Sequence, residues 1–462
     1  MAGGFAIVID IGKTMSKLSL WSRDGRMLDR VTRTNTHADG VLDTQGTADW
    51  TVREMARWAD HPVEYIVPVA HGAAVSGIKG DAPAFATPDY ETELPDDALA
   101  AYRAARDPFA DTGSPALPAG LNLGAQLHWL EDQAPEGLRD VTLMPYAQYW
   151  AWHLTGVATS ELTSLGCHSD LWDPVRADFS PMAKRRGWAR QFAPLVKAGD
   201  VIGTLRPELA RLTGLSENTK VLAGLHDSNA ALLAARGFSA IAENEATVLS
   251  TGTWFIAMRL AKAEMDLAAL PETRDCLVNV DAYGAPVPSA RFMGGREIES
   301  LIGIDTRRVD IRQDQPRLLA AVKDVVEKKA MVLPTLTPGH GPFPTCEGGW
   351  VARPDDWYAR RAGACLYAAL VADVSLDLIG SKDRLLVEGR FAEAEVFVRA
   401  LASLRPDMTI FVANAHNDVS FGALRLIDAA LEPGGTLERV EPLPEDLAAY
   451  KAAWHARIGE GG

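Results

Sequence analysis

The chain has 462 residues, 47% of them hydrophobic, which exceeds what one hydrophobic core usually organises, so two domains are expected. A net charge of -15 without any basic run argues against nucleic acid and anionic membrane as partners, because their phosphates need a positive face. No apolar run approaches the ~20 residues of a membrane span, and Cys167, Cys276, Cys346 and Cys365 lie far apart without zinc-ligand spacing, so reduced thiols are expected.

An anionic ligand such as a nucleotide must then be held locally, by backbone NH groups, single Lys or Arg side chains and a metal ion. The N-terminus, MAGGFAIVID, has no basic region and meets Asp10 early, so it reads as a first strand and the cytoplasm is the expected compartment. After the turn DIGKTMSK, LSLW is expected to pair back with FAIVI before Asp24-Gly25 turns the chain again. The hairpin tip offers backbone NH groups with Lys13, Thr14, Ser16 and Lys17, a set able to wrap phosphates, and Asp10 can hold magnesium directly or through water. A solvated turn beside a chance acid is the alternative, since DxGxT alone is a weak motif.

Thr51-x-x-Glu54 reads as a capping box opening a helix through Met55 and Trp58. VEYIVPVAHGA reads as a buried strand ending at His71-Gly72, where α/β proteins place ligand contacts; a satisfied core or loop histidine is the competing reading of His71. Residues 79–120, rich in Pro, Asp and Gly, suggest a long loop or lid, and Leu123, Leu127 and Leu130 mark a helix face. The aromatic stripe of YAQYWAWHLTG is assigned to the core. TSLGCHSDLWDP reads as a loop, with Trp172 either a pocket wall or a simple anchor.

AGLHDSNAALLAARG, residues 223–237, sets Asp227 at the start of a helix that ends at Gly237. An ordinary N-cap is the plain reading. Flanked in sequence by two Gly-containing turns that can each hold phosphate, however, this carboxylate suits phosphoryl transfer, where catalysis is mostly positioning and charge stabilisation. The acidic stretch AENEA is the expected boundary, giving domains 1–240 and 241–462. VLSTGTWFIAM repeats the opening pattern of strand, small polar turn and strand, which suggests a duplicated architecture of two related domains facing one cleft. Further on, ARFMGGREIESLIG reads as a turn into a helix, PTLTPGHGPFPTCEGGW as a loop and ARRAGACLYAALVADVSLDLIG as a long buried helix. RLLVEGRFAEAEVFVRALASLRP followed by TIFVANAH is βαβ grammar, so the class is α/β with a partly parallel sheet. Within it, Glu388-Gly389-Arg390 offers bare backbone to a nucleotide, or else a glycine needed for helix packing.

Taken in order, DIGKTMSK, His71-Gly72, GLHDSNAALLA, VLSTGTW and LLVEGRFAEAEVF resemble the FGGY carbohydrate kinases over nearly the whole chain. The resemblance implies two ribonuclease-H-like α/β domains of the actin and sugar-kinase superfamily with the active site in the cleft between them, and ATP with Mg2+ as cofactors. It implies that Asp10 to Lys17 form the first phosphate loop with Asp10 serving magnesium, and that Thr251, Gly252 and Thr253 lie near the ATP phosphates in the second. Asp227 matches the family's catalytic base, while His71 and Gly72 fall where the family contacts sugar. The pair His226-Asp227 and the STGTW turn look most like L-rhamnulose kinases and next like L-fuculose kinases, which makes a 6-deoxyketohexose phosphorylated on its primary hydroxyl the expected substrate. Two departures stand out: only Gly389 of the adenosine-side glycine pair is present, and Lys13 replaces a small residue in the phosphate loop.

Two other readings keep both turns: a non-catalytic actin-like ATP-binding protein and an ATPase acting on water. Neither requires an aspartate placed as Asp227 is. A small-molecule sugar is the expected partner, and the sequence leaves a homodimer open.

Overall fold

Near-continuous apolar residues make Phe5–Ile11 (β1) a strand buried on both faces, with Ala6, Ile7, Val8, Ile9 and Ile11 all in the core. The computed structural model describes residues 4–133, 138–262, 266–303, 308–414 and 418–459. The chain forms two units: residues 1–237 with 278–286 and 417–433, and residues 238–277 with 287–416 and 434–462.

In the first unit β1 pairs antiparallel with Met15–Ser22 (β2), which pairs antiparallel with Met27–Thr34 (β3) through the turn at Gly25, φ +84°. On its other side β1 runs parallel to Val63–Ala70 (β4). Beyond β4, in the same sheet, come Val201–Thr204 (β5) and Lys220–Leu222 (β6), with β6 parallel to β4 and β5 antiparallel at the edge, while the short Leu225–His226 (β7) also runs parallel to β4. The order is β3-β2-β1-β4-β6-β5.

The second unit repeats this plan. Ala246–Thr251 (β8) pairs antiparallel with Phe255–Leu260 (β9) and β9 with Pro286–Phe292 (β10); on the other side Arg384–Gly389 (β11) and Thr409–Ala413 (β12) run parallel, and Leu437–Arg439 (β13) closes the edge antiparallel. Six of this sheet's seven strands, in the order β10-β9-β8-β11-β12-β13, have the same sequence of parallel and antiparallel neighbours as β3-β2-β1-β4-β6-β5. Each unit is thus a ribonuclease-H-like α/β fold, as the echo between FAIVIDIGK and VLSTGTW suggested.

Helices cover the sheets where the sequence is most apolar. Tyr146–Thr155 buries its aromatic residues in the first unit's core, Trp357–Leu378 is buried along most of its length in the second, and Glu395–Leu404 follows β11. Among the described residues no helix is long and apolar enough to cross a membrane.

Three local expectations are corrected. The helix near Thr51 begins at Thr44, capped by Asp43, whose carboxylate accepts from Gly46; Thr51 lies inside it and is buried, so Thr51-x-x-Glu54 opens nothing. Residues 79–120 are not one loop, because Asp96–Ala105 is a helix started by two acids in its first turn, and Phe109–Thr112 adds another turn. Trp172 is no pocket wall: it is buried in the first unit's core, edge-on to Phe179.

Candidate active site

The carboxyl ends of three adjacent strands in the first unit carry the residues singled out by sequence. Register pairs Ile11 of β1 with Ala70 of β4, and Ala70 with His226 of β7, so Asp10, His71 and Asp227 emerge side by side. Strand ends of this kind are the usual ligand position in α/β sheets.

Asp10 is 3% exposed. Burial pushes its carboxyl up to about 6, opposed by Lys17 across the hairpin, while the charges of Asp227 and Asp418 push the same way as burial. Lys17 pairs with Asp10 in register, its Nζ 3.2 Å from the carboxylate. The turn between the strands is tight: Gly12 N donates to Met15 O at 3.1 Å, and a Cβ on Gly12 would sit 2.8 Å from that oxygen. Ser16 is buried and donates to Asn35 Oδ1 at 2.7 Å, while Asn35 Nδ2 donates to Gly12 O, so the Ser16 hydroxyl braces the turn from behind. Thr14 is exposed at the tip.

Lys13 turns away from that tip. Its amine pairs with Asp89, lies 3.4 Å from Glu91 Oε2 and sits 4.8 Å over the ring of Tyr90. Tyr90 in turn meets His71 edge-on at 5.5 Å. Asp89, Glu91 and Tyr90 could not be read as neighbours of Lys13 from the chain, since Asp89 lies 76 residues away from it.

His71 is buried between Tyr90 and Tyr146, and burial holds its pKa below the usual range. As the neutral ring, it donates from Nδ1 to Gly72 O at 2.8 Å, which leaves Nε2 as an acceptor. Gly72 must be small, because a Cβ there would stand 2.7 Å from His226 Nε2.

Asp227 is the first residue of the helix Asp227–Ala235 and not its N-cap; that position belongs to His226, whose side chain makes no cap. The Asp227 carboxylate accepts from Ser228 N at 2.6 Å and faces His226 Nε2 at 3.2 Å. Burial lowers the His226 pKa; its Nδ1 has no hydrogen-bond partner among the described residues. The segment leading to Asp227 is held from two sides. Gln148 Nε2 donates to Ala223 O and Gly224 O, both at 3.1 Å, and His226 N donates to Thr163 Oγ1 at 2.9 Å.

In the second unit the turn after β8 is also closed by its glycine, but one residue tighter: Gly252 N donates to Trp254 O at 3.0 Å. Thr253 is exposed at its tip. Thr251 is buried, and its hydroxyl is occupied, donating to Glu388 O at 2.5 Å and accepting from Phe391 N at 3.1 Å. It ties the end of β8 to the turn after β11. There Gly389 adopts φ +84°, ψ −165°, and any Cβ would collide with the Thr251 carbonyl oxygen. Gly295, at the start of the helix Gly294–Ile302, likewise has no room for a Cβ beside Gly252 O. The second unit therefore brings Thr251, Gly252, Thr253 and Gly389 together around bare backbone.

Comparison with known proteins gives two family matches: the N-terminal domain of the FGGY family of carbohydrate kinases over residues 109–234, and the carbohydrate kinase FGGY C-terminal domain over residues 243–434. A crystal structure of a carbohydrate kinase from Novosphingobium aromaticivorans is 62% identical, covers 100% of this chain and 99% of that one, and superposes with a TM-score of 0.96. An L-fuculokinase from Salmonella typhi is 35% identical over 178 residues, 38% of this chain, and this match spans only 36% of that relative. A ligand-bound xylulose kinase from Lactobacillus acidophilus, 13% identical with a TM-score of 0.78 over 99% of this chain and 96% of that one, shares the fold.

Proposed function

Because the chain belongs to the FGGY family of carbohydrate kinases, we propose that it transfers the γ-phosphoryl group of ATP to the primary hydroxyl of a ketose, most specifically a 6-deoxyketohexose such as L-rhamnulose. The observation that carries this reading is the grouping of Asp10, His71 and Asp227 at three neighbouring strand ends. Asp227 accepts the proton of the attacking hydroxyl, with His226 Nε2 3.2 Å from its carboxylate. His71 Nε2, left as an acceptor, takes a hydrogen bond from a second sugar hydroxyl. In this reading residues 1–240 serve the sugar and the base, and residues 241–462, with the turn at Thr251–Thr253, serve the nucleotide.

Magnesium fits this donor set only in company with the nucleotide. No group of three or more His, Cys, Asp or Glu side chains able to hold a metal occurs among the described residues. A magnesium ion bound mainly by substrate phosphates needs just one or two carboxylates, and buried Asp10 supplies one. Such an ion neutralises phosphate charge.

L-Fuculose is the second candidate, favoured by the named relative at 35% identity. The two sugars share the methyl group and differ in hydroxyl configuration, and a site that hydrogen-bonds hydroxyls discriminates more strongly than an apolar spot for a methyl, worth only ~1–3 kcal/mol. The test is kcat/KM with Mg-ATP for L-rhamnulose, L-fuculose, L-ribulose, D-xylulose and glycerol. L-Rhamnulose is expected to lead. D-Xylulose or glycerol in first place would overturn the 6-deoxyketose assignment, and ATP turnover indifferent to every sugar would overturn the kinase reading.

A further inference from the structure

The residue before Asp227 is anchored by a buried chain of hydrogen bonds. Thr163 is fully buried and sits in the short helical turn Leu162–Leu165. Its Oγ1 accepts from His226 N at 2.9 Å and donates to Glu161 Oε2 at 2.5 Å. The same Glu161 oxygen accepts from Thr163 N at 3.0 Å, so the carboxylate fixes both the backbone and the hydroxyl of Thr163. Glu161 is itself 2% exposed, in a strand pair made by Ser160–Glu161 with Leu195–Val196.

A backbone N–H can only donate, so Thr163 Oγ1 accepts from His226 N and its own proton is available to Glu161 Oε2. His226 N–H is thereby paired to Thr163 and the strand β7 is held from the side opposite β4. With the His226 main chain fixed, its ring stands with Nε2 3.2 Å from the Asp227 carboxylate, at the residue where the helix begins.

We infer that Thr163 and Glu161 are positioning residues for the reaction, acting through the His226 main chain to hold the Asp227 carboxylate toward the sugar hydroxyl. This rests on the reading of Asp227 as the base. Positioning of this kind matters because a displacement of ~1 Å at a reacting group costs on the order of 10²-fold in rate. Burial pushes the Glu161 carboxyl up to about 8, against the hydrogen bonds from Thr163. Buried Glu161 spends its oxygen on the backbone and hydroxyl of the one residue that holds His226 N.

The experiment compares Thr163→Val, which keeps the volume and removes both bonds, with Thr163→Ser, which keeps both bonds, in the parent and in an Asp227→Asn background. Thr163→Val should lower kcat by about 10- to 10²-fold while leaving the KM for ATP unchanged, and Thr163→Ser should retain most of the turnover. In Asp227→Asn, Thr163→Val should bring little further loss, because residues that act as a unit are non-additive. Thermal melts of each variant separate this from unfolding, and Thr163→Ala replaces Val if the latter cannot be purified. Unchanged kcat in Thr163→Val, or the same fold-loss in both backgrounds, would overturn the proposal while the base assignment stands. Near-normal turnover of Asp227→Asn would overturn the base assignment and this proposal with it.

Discussion

Lys17 stands directly opposite Asp10 in the first hairpin, its amine 3.2 Å from a carboxylate that burial nevertheless holds at about 6. Burial therefore outweighs the ion pair, and the ionised form of Asp10 is a strained component of the folded protein. The folded-state pKa is above the reference value of 3.8, so the contribution of Asp10 to stability is complete below that value and is lost as pH rises through about 6. Two pKa units correspond to about 3 kcal/mol. Asp10→Asn, which never ionises, should melt higher than the parent at neutral pH, and the gap should close as pH falls below about 6. The same variant should lose magnesium-dependent turnover. A melting temperature equal to or below the parent's at neutral pH would refute the strain argument.

Asp227→Asn should lower kcat by ~10²- to 10⁴-fold, the usual worth of a positioned general base. Binding of ATP should persist, measured by calorimetry or by fluorescence of a nucleotide analogue. Full turnover would remove Asp227 from the chemistry.

Lys13→Met tests which ligand that side chain serves. Its contacts are Asp89, Glu91 and Tyr90, and Tyr90 rests on His71. The substitution should therefore raise the KM for sugar by about tenfold, equivalent to ~1.4 kcal/mol, with little change in the KM for ATP. The reverse pattern would return Lys13 to the phosphates.

Gly389→Ala places a side chain in a region of φ and ψ that is essentially reserved for glycine, at a cost of about 1–3 kcal/mol, and drives it against Thr251 O. The expected result is a lower melting temperature and a raised KM for ATP with the KM for sugar unaltered. Gly349→Ala is the control, since a Cβ there has nothing within 4 Å. Equal behaviour of the two variants would mean that the turn after β11 does not meet the nucleotide.

The strands and their polar ends were legible because their signals are local. Runs such as FAIVI and LLV can only be buried strands, and an acid or glycine where the apolar run stops marks the strand end. Asp10 and His71 were singled out that way, whereas Asp227 was read as the start of a helix. Thr163 and Gln148 were invisible because their partners lie 63 to 76 residues away in sequence, and Glu161 because it acts only through Thr163. The helix Asp96–Ala105 was hidden in a stretch whose Pro, Asp and Gly content masks an alanine-rich segment with one buried tyrosine, Tyr102. Thr51-x-x-Glu54 misled for another reason: the capping pattern occurs inside helices too, and Asp43 had already supplied the cap.

The first unit is completed by residues far down the chain. The helix Val419–Leu424 lies against Asp227–Ala235 so closely that Gly422 has no room for a Cβ beside Ala230 O, Phe421 packs near Trp21, and Asp418 pairs with Arg30 at 2.5 Å. A ribosome making this protein releases residues 1–237 long before residues 417–433 exist; at ~5–20 residues per second the delay is on the order of 10–40 s. Throughout that interval Trp21 and Leu233 wait on a face that Phe421 and Leu424 will cover. The nascent chain thus presents an uncovered apolar surface beside the helix of Asp227, and a gene truncated after Gly237 would leave that surface bare for good.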